Sequence, residues 1–348
     1  MTAIIGWDIG GANAKSAWLT FQGREVQVVR TASHPYEIWR EKDRLPAVLA
    51  EVFKELAPDL PVTMAVTMTA ELADVFATKR EGVLFVLDTL LATFAGCPGY
   101  VLSLSGGFVG LEEARKQPLD FAATNWLATA LFLAGRFPNS ILVDVGTTTT
   151  DIIPILDGRV ANQGHTDLER LLSGELVYTG TLRTHLAAIV HSVPVRGRLC
   201  PVSSEYFAIS GDVHLVLGHL APHEYSCPTP DGQPPTVAFA RQRLARLVCA
   251  DTEMFGSLEI DEIAHYIHER QLRQIGEGLL QVLSRLPGLR DFPVVALGSG
   301  AFLAMQAAQR LGLSVLDLAV DWGREASAVA VCVAAGHLLA RQLEVERQ

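Results

Sequence analysis

Two short stretches of this sequence end an apolar run in an aspartate and follow it with a turn of small, donor-rich residues. The first is Asp8-Ile9-Gly10-Gly11-Ala12-Asn13-Ala14-Lys15, and the second is Asp144-Val145-Gly146-Thr147-Thr148-Thr149-Thr150-Asp151. Glycine lets a backbone turn with positive φ and lets an anion approach the amides. In the first loop the amides around Gly10 and Gly11 and the Asn13 side chain can donate to phosphate oxygens, and Lys15 supplies a positive charge. In the second, the hydroxyls of Thr147, Thr148 and Thr149 add donors to the amides that follow Gly146. A carboxylate repels phosphate, so the aspartates suit a hydrated Mg2+, which is bound by one or two carboxylates plus substrate phosphates. Asp8 and Asp144 are therefore the metal candidates, and Asp151 joins them for metal binding or proton transfer. A third glycine turn, Leu297-Gly298-Ser299-Gly300-Ala301, offers amides and a helix N-terminus to an anion or a nucleotide. A tight hairpin accounts for either aspartate loop alone. It does not require an aspartate at the end of both strands.

The elements that position these loops repeat. Ala3–Asp8 reads as a buried strand, Ala14 to about Phe21 as a second, Gln22-Gly23 as a turn and Arg24–Arg30 as a third strand. From Ser140 the pattern returns: Ile141–Asp144, the loop, Thr150–Leu156, a turn at Asp157-Gly158, and a third strand from Arg159. Such self-similarity marks a duplicated unit. Helices are expected near Arg44–Ala57, Asp120–Arg136, Asp167–Ser173, Gly180–Val190, Thr236–Ala250, Asp261–Arg285 and Glu325–Gln342. Strands are expected at Val62–Thr67, Tyr100–Ser103, Val294–Leu297 and Ser314–Leu316. Alternating strands and helices predict mixed sheets covered on both faces. The expected architecture is α/β, a duplicated actin-like (ribonuclease H-like) fold of two lobes with a ligand cleft between them. The lobes span 1–138 and 139–348, the second carrying an insert near 191–235.

Of the 348 residues, 49% are hydrophobic and 19% charged, which excludes a disordered chain. No apolar run reaches the roughly 18 residues of a membrane span. The N-terminus lacks the basic stretch and cleavage site of a signal peptide. The five cysteines are scattered, with no CxxC pair, as in a reduced cytoplasmic protein. A net charge of -10 argues against nucleic acid as a partner and leaves room for a local anion pocket. His214, His219, His223 and Cys227 invite a zinc reading, but their irregular spacing and the proline-rich stretch after them favour a surface loop.

The three loops resemble the phosphate and adenosine motifs of the sugar kinase, heat-shock ATPase and actin superfamily. The closer resemblance is to the hydantoinase/oxoprolinase family, and within it to the branch that builds methanofuran- and methylofuran-type C1 carriers. It is carried by Asp144–Asp151, Thr166-Asp167-Leu168-Glu169-Arg170, Gly174-Glu175, Tyr178, Gly180 and Arg183-Thr184. Asp8–Asn13, Met68-Thr69-Ala70-Glu71-Leu72, Asn125-Trp126, Arg246–Asp251 and Leu297–Gly300 extend it over nearly the full length. Ala12 and Ala14 stand where nucleotide-using relatives carry hydroxyl residues, so no ATP requirement is expected.

The resemblance implies a transferase with Mg2+ or another divalent cation. Its substrates would be an aminomethylfuran-methyl diphosphate and the phenol of a tyramine or tyrosine unit, joined as an aryl ether with release of diphosphate. The phenol, with a free pKa near 10, needs a proton acceptor, for which Glu175 and Asp167 are both candidates. Arg170 and Arg183 are candidates for anionic substrate groups, and Glu71, Asn125 and Tyr178 for substrate contact. Each has a structural alternative: an ion pair, a cap or core packing. Two other activities stay open, an ATP-dependent kinase or amide hydrolase and a non-enzymatic nucleotide switch. A homodimer is compatible with the sequence.

Overall fold

Strand β1 (Ala3–Ile9) is apolar on both faces, and Ile4, Ile5, Trp7 and Ile9 have no exposed surface. Such a strand belongs in the middle of a covered sheet. The computed structural model, which describes residues 3–22, 25–59, 61–318, 320 and 327–346, places it there. The neighbours of β1 are β2 (Asn13–Gln22) and β4 (Val62–Met68), and the sheet runs β3-β2-β1-β4-β5-β6. Its other strands are β3 (Glu25–Pro35), β5 (Gly99–Leu102) and β6 (Phe108–Gly110). β1 pairs antiparallel with β2, Asp8 opposite Lys15, and parallel with β4, Asp8 opposite Thr67. The helices are α1 (Ile38–Glu41), α2 (Leu45–Leu56), α3 (Lys79–Thr93), α4 (Leu111–Ala114) and α5 (Asn125–Ala134). α2 buries Leu45, Val48, Leu49, Val52 and Leu56, one face at helical spacing. α3 starts at Thr78, whose hydroxyl accepts the Glu81 amide, while the Glu81 carboxylate accepts the Ala77 amide.

The second sheet repeats the plan, in the order β10-β8-β7-β13-β14 with β9 paired to β8. These strands are β7 (Ser140–Val145), β8 (Thr150–Leu156), β9 (Arg159–Val160), β10 (Leu176–Val177), β13 (Val294–Leu297) and β14 (Val315–Asp317). The inserted hairpin pairs β11 (Ser192–Val195) with β12 (Arg198–Pro201). β13 lies parallel to β7 with Leu297 opposite Asp144, so the third glycine turn begins beside that aspartate. The helices here are α6 (Asp167–Ser173), α7 (Ser210–Val216), α8 (Val237–Arg246), α9 (Ser257–Arg285) and α10 (Ala301–Arg310).

The last helix, α11 (Ala330–Glu346), returns to the first sheet, packing on β1, β4 and α5. Gly6 has no Cβ where the Cys332 carbonyl approaches, and Gly336 none where Leu19 approaches. The chain thus divides into one compact unit of Met1–Ser140, Ile153–Glu169 and Leu318–Gln348, and another of Ile141–Ile152 and Arg170–Asp317. The sequence reading placed a single boundary at 138/139.

Two helix expectations fail for identifiable reasons, and the third strand of the second copy is shorter than expected. The helix expected over Asp120–Arg136 is a 3-10 turn at Pro118–Phe121 followed by α5, and Ala123 interrupts them with a left-handed φ of 51°. The helix expected over Gly180–Val190 is replaced by a segment whose amides bond the Gly146-Thr147 loop, with only a 3-10 turn at Leu186–Ala188. The strand from Arg159 has two residues. Gly23 and the start of the predicted final helix, Glu325-Ala326, lie outside the described residues.

Candidate functional site

Both aspartate loops close with the same bond. The Gly10 amide donates to the Asn13 carbonyl at 2.9 Å, and the Gly146 amide to the Thr149 carbonyl at 2.9 Å. In the first unit the carbonyls of Gly11 and Ala12 accept from Ile38 (3.0 Å) and Tyr36 (2.9 Å), which ties that side of the loop to the scaffold. Asp8 is half-buried, with the Thr67 hydroxyl 3.5 Å from its carboxylate. Lys15, opposite Asp8 on β2, reaches the Ala328 carbonyl at 3.4 Å.

The second loop is held by two neighbouring segments of its own unit. The Gly146 carbonyl accepts from the Thr181 amide (2.9 Å), and the Thr147 carbonyl from the amides of Leu182 (3.1 Å) and Arg183 (2.9 Å). Behind it sits Gly180, where a Cβ would stand 2.6 Å from backbone atoms of Thr148. On the other side the Gly300 amide donates to the Val145 carbonyl at 2.8 Å. Gly298 turns with φ 87°, and a side chain there would strike the Asp144 carboxylate. Asp144, Gly146, Thr147, Thr148, Thr149 and Gly298 are partly exposed around this cradle, and Ser299 is exposed at its edge. The structure thus joins the second and third sequence motifs into one small-residue cradle, which suits an anion. Thr181, whose hydroxyl lies 3.4 Å from that of Ser299, was missed by the sequence reading. Its only signal is the threonine in Gly180-Thr181.

Several predicted residues have other work. Arg170 is 2% exposed and ion-paired with Asp151. Glu175 is fully buried, paired with Arg285 at 2.8 Å and accepting the Ser173 hydroxyl at 2.9 Å. The expected anion contact Arg170 and the expected metal or proton-transfer acids Asp151 and Glu175 thus each have an ion-pair partner inside the second unit. Each acid is held by a guanidinium of its own unit. Asp167 belongs to the first unit and pairs with Lys79 at 2.7 Å. Lys79, at the start of α3, had no signal in spacing. Tyr178 is 60% exposed, Arg183 is half-buried beside Thr147, and Asn125 is the partly buried first residue of α5.

Glu71 is unlike any of these. It is 1% exposed, and neither carboxylate oxygen has a hydrogen bond of good geometry, although the backbones of Glu71 and Ala123 lie close by. Burial pushes its pKa up to about 7, and Asp167 adds to the rise while Lys79 opposes it. Gly82 of α3 packs directly on the Glu71 backbone, where a Cβ would stand 2.6 Å from its Cα.

A hairpin with a glycine turn, a parallel strand beside it and helices over the sheet, present twice in one chain, define the α/β fold of actin, sugar kinases and heat-shock ATPases. The nucleotide-free structure of acetone carboxylase shares it, with a TM-score of 0.59 at 12% identity over 95% of this chain and 70% of that one. The chain belongs to the hydantoinase/oxoprolinase family, whose model matches residues 63–342. It is 37% identical over 98% of both chains to a protein of Methanocaldococcus jannaschii named (4-{4-[2-(gamma-L-glutamylamino)ethyl]phenoxymethyl}furan-2-yl)methanamine synthase. A protein of the same name from Methanococcus vannielii is 41% identical over 46% of this chain and 71% of its own length. Among the described residues no helix is long and apolar enough to cross a membrane.

Proposed function

We propose that this chain is the transferase that joins an aminomethylfuran-methyl diphosphate to the phenol oxygen of a γ-glutamyltyramine-type acceptor and releases diphosphate. The observation that carries this reading is the 37% identity over 98% of both chains to a synthase whose named product holds that aryl ether. In the reaction the bond between the furan methylene carbon and the diphosphate oxygen breaks, and its electron pair leaves with diphosphate. The electron-rich furan spreads the positive charge left on carbon. A phenol lone pair forms the new bond, and the phenolic proton passes to a base.

The leaving group needs donors where charge develops. The cradle of Gly146, Thr147, Thr148, Thr149, Gly298 and Gly300 supports diphosphate binding, since it combines hydroxyls, close-approach glycines and a helix N-terminus. Asp144 beside it has the oxygen donors that Mg2+ requires and keeps part of its surface open. The metal would supply charge neutralisation on diphosphate. Glu71, whose pKa burial raises to about 7, is a candidate for the proton acceptor, since a base works best with a pKa near the operating pH. No ATP is required by this chemistry.

The test mixes the purified protein with the furan diphosphate, the phenol and Mg2+, without nucleotide, and measures diphosphate release and ether formation. Turnover without ATP supports the proposal, and turnover only with ATP overturns it. Asp144→Asn is expected to lower turnover by roughly 100-fold. Unchanged turnover would remove Asp144 from the reaction.

A further inference from the structure

The second unit gathers three histidines outside the phosphate loops. α7 ends at Val216, and Gly218 reverses the chain with φ 72°. The Gly218 amide donates to the Leu215 carbonyl at 3.3 Å and the His219 amide to the His214 carbonyl at 2.8 Å. This pair of bonds is the Schellman helix end. It brings the rings of His214 and His219 to 5.6 Å between centroids, with their Nδ1 atoms 3.4 Å apart. α9 adds His268, whose ring lies 4.7 Å from that of His219 and 5.6 Å from that of His214. One nitrogen from each ring lies within 4.8 Å of the others. His214 and His268 are buried and His219 is half-buried.

The outer partners fix which nitrogens are available. Gln271 donates its Nε2 to the Gly180 carbonyl (2.8 Å) and the Thr179 hydroxyl (3.0 Å), so its Oε1 accepts from His214 Nε2 at 3.0 Å. A neutral His214 therefore carries its proton on Nε2 and turns the Nδ1 lone pair toward His219. His268 Nε2 sits 2.8 Å from Gln306 Oε1, which leaves its Nδ1 buried with no hydrogen-bond partner. An ordinary core histidine satisfies both nitrogens. Here His268 Nδ1 lacks a partner beside two imidazoles whose Nδ1 atoms stand 3.4 Å apart. Neutral imidazole is the form that binds a metal.

We propose that His214, His219 and His268 bind Zn2+ in a tetrahedral site whose fourth position opens to water on the His219 side. Zn–N bonds of about 2.0–2.1 Å at tetrahedral angles set ligand nitrogens about 3.4 Å apart. The first pair already stands at 3.4 Å, and the remaining gap of at most 4.8 Å closes by about 1.4 Å or less. An all-imidazole set selects zinc and its neighbours over magnesium, so this site is separate from any Mg2+ at the aspartates. The amide carbonyls of Gln271 and Gln306 orient the ligand rings, as the outer shell of a zinc site does. Gln271 also grips Gly180, which backs Thr148 of the phosphate cradle. The metal therefore braces the segment behind that cradle. The inference does not depend on which reaction the protein catalyses.

The test strips the full-length protein with a chelator and titrates it with Co2+ at neutral pH. Expected are the visible bands of tetrahedral cobalt, saturating at one equivalent and displaced by Zn2+, with a metal-dependent rise in melting temperature. His268→Ala should abolish the bands, and Gln271→Ala should weaken binding roughly 10- to 100-fold. His219 is half-buried, so His219→Ala should melt like the metal-free protein while losing both the bands and the metal-dependent rise. Asp144→Asn should leave the bands unchanged. Absent bands in the intact protein, or bands that survive His219→Ala, overturn the site.

Discussion

Glu71 is held in the first unit with a pKa of about 7 against an ordinary 4.5. The folded protein keeps a proton that the unfolded chain releases near 4.5, so stability falls as pH rises from 4.5 to about 7. Above that window the buried charge costs roughly 3 kcal/mol. Glu71→Gln keeps the shape and removes the charge. It is expected to flatten the pH dependence between pH 5 and 8, raise the melting temperature at pH 8, and lower turnover by about 10²- to 10⁴-fold. Thermal melts at both pH values beside diphosphate release check this. A variant with the wild-type slope would place the titrating proton elsewhere. The sequence marks Glu71 as a candidate through Met68-Thr69-Ala70-Glu71, but not its proton affinity. That comes from burial, reinforced by Asp167 and opposed by Lys79 and by the Ala123 backbone. Asp151, Arg170 and Glu175 illustrate the opposite limit. Their charges read as ligand contacts in the sequence, and only packing reveals that Arg170 and Arg285 already hold the acids.

Among the elements, the segment from Gly180 to Thr184 decides how firmly the second loop is held. Its amides bond the carbonyls of Gly146 and Thr147, and Gly180 allows the two backbones to touch. Gly180→Ala inserts a methyl group 2.6 Å from Thr148, a clash that costs roughly 1–3 kcal/mol. Calorimetry should show diphosphate affinity falling about 10-fold or more while the circular dichroism spectrum stays that of the wild type. Unchanged affinity would mean that the loop keeps its shape without this contact. Hairpin strands were legible because β1, β7 and β8 are nearly unbroken apolar runs between glycine turns. The 180–190 segment was not, since its apolar residues suit a helix and only bonds to a loop more than thirty residues earlier override that preference. The histidine cluster hid for a related reason. His214-Leu215-Val216-Leu217-Gly218-His219 carries a helix end in its glycine, but the third ring comes from α9.

For the molecule as a whole, the duplicated plan was legible as two aspartate loops at matching positions, and the family's motifs reinforced it. The path of the last helix was not, because an alanine-rich helix carries no label for the sheet it covers. α11 covers β1 and β4 and meets α5, with Gly6 and Gly336 cut back for close approach. A chain stopped at Asp317 should lose the first unit's cooperative transition and accumulate as insoluble material. A soluble product that keeps the wild-type melt would show that α11 is dispensable. The same closure has a consequence for synthesis. When Ser140 is translated the first sheet is already made, but the helix that covers it begins at Ala330. At about 5–20 residues per second the ribosome needs roughly 10–40 s to supply it. Throughout that interval the nascent sheet offers sticky surface to chaperones and to other polysomes, so expression yield should depend on translation speed and on temperature.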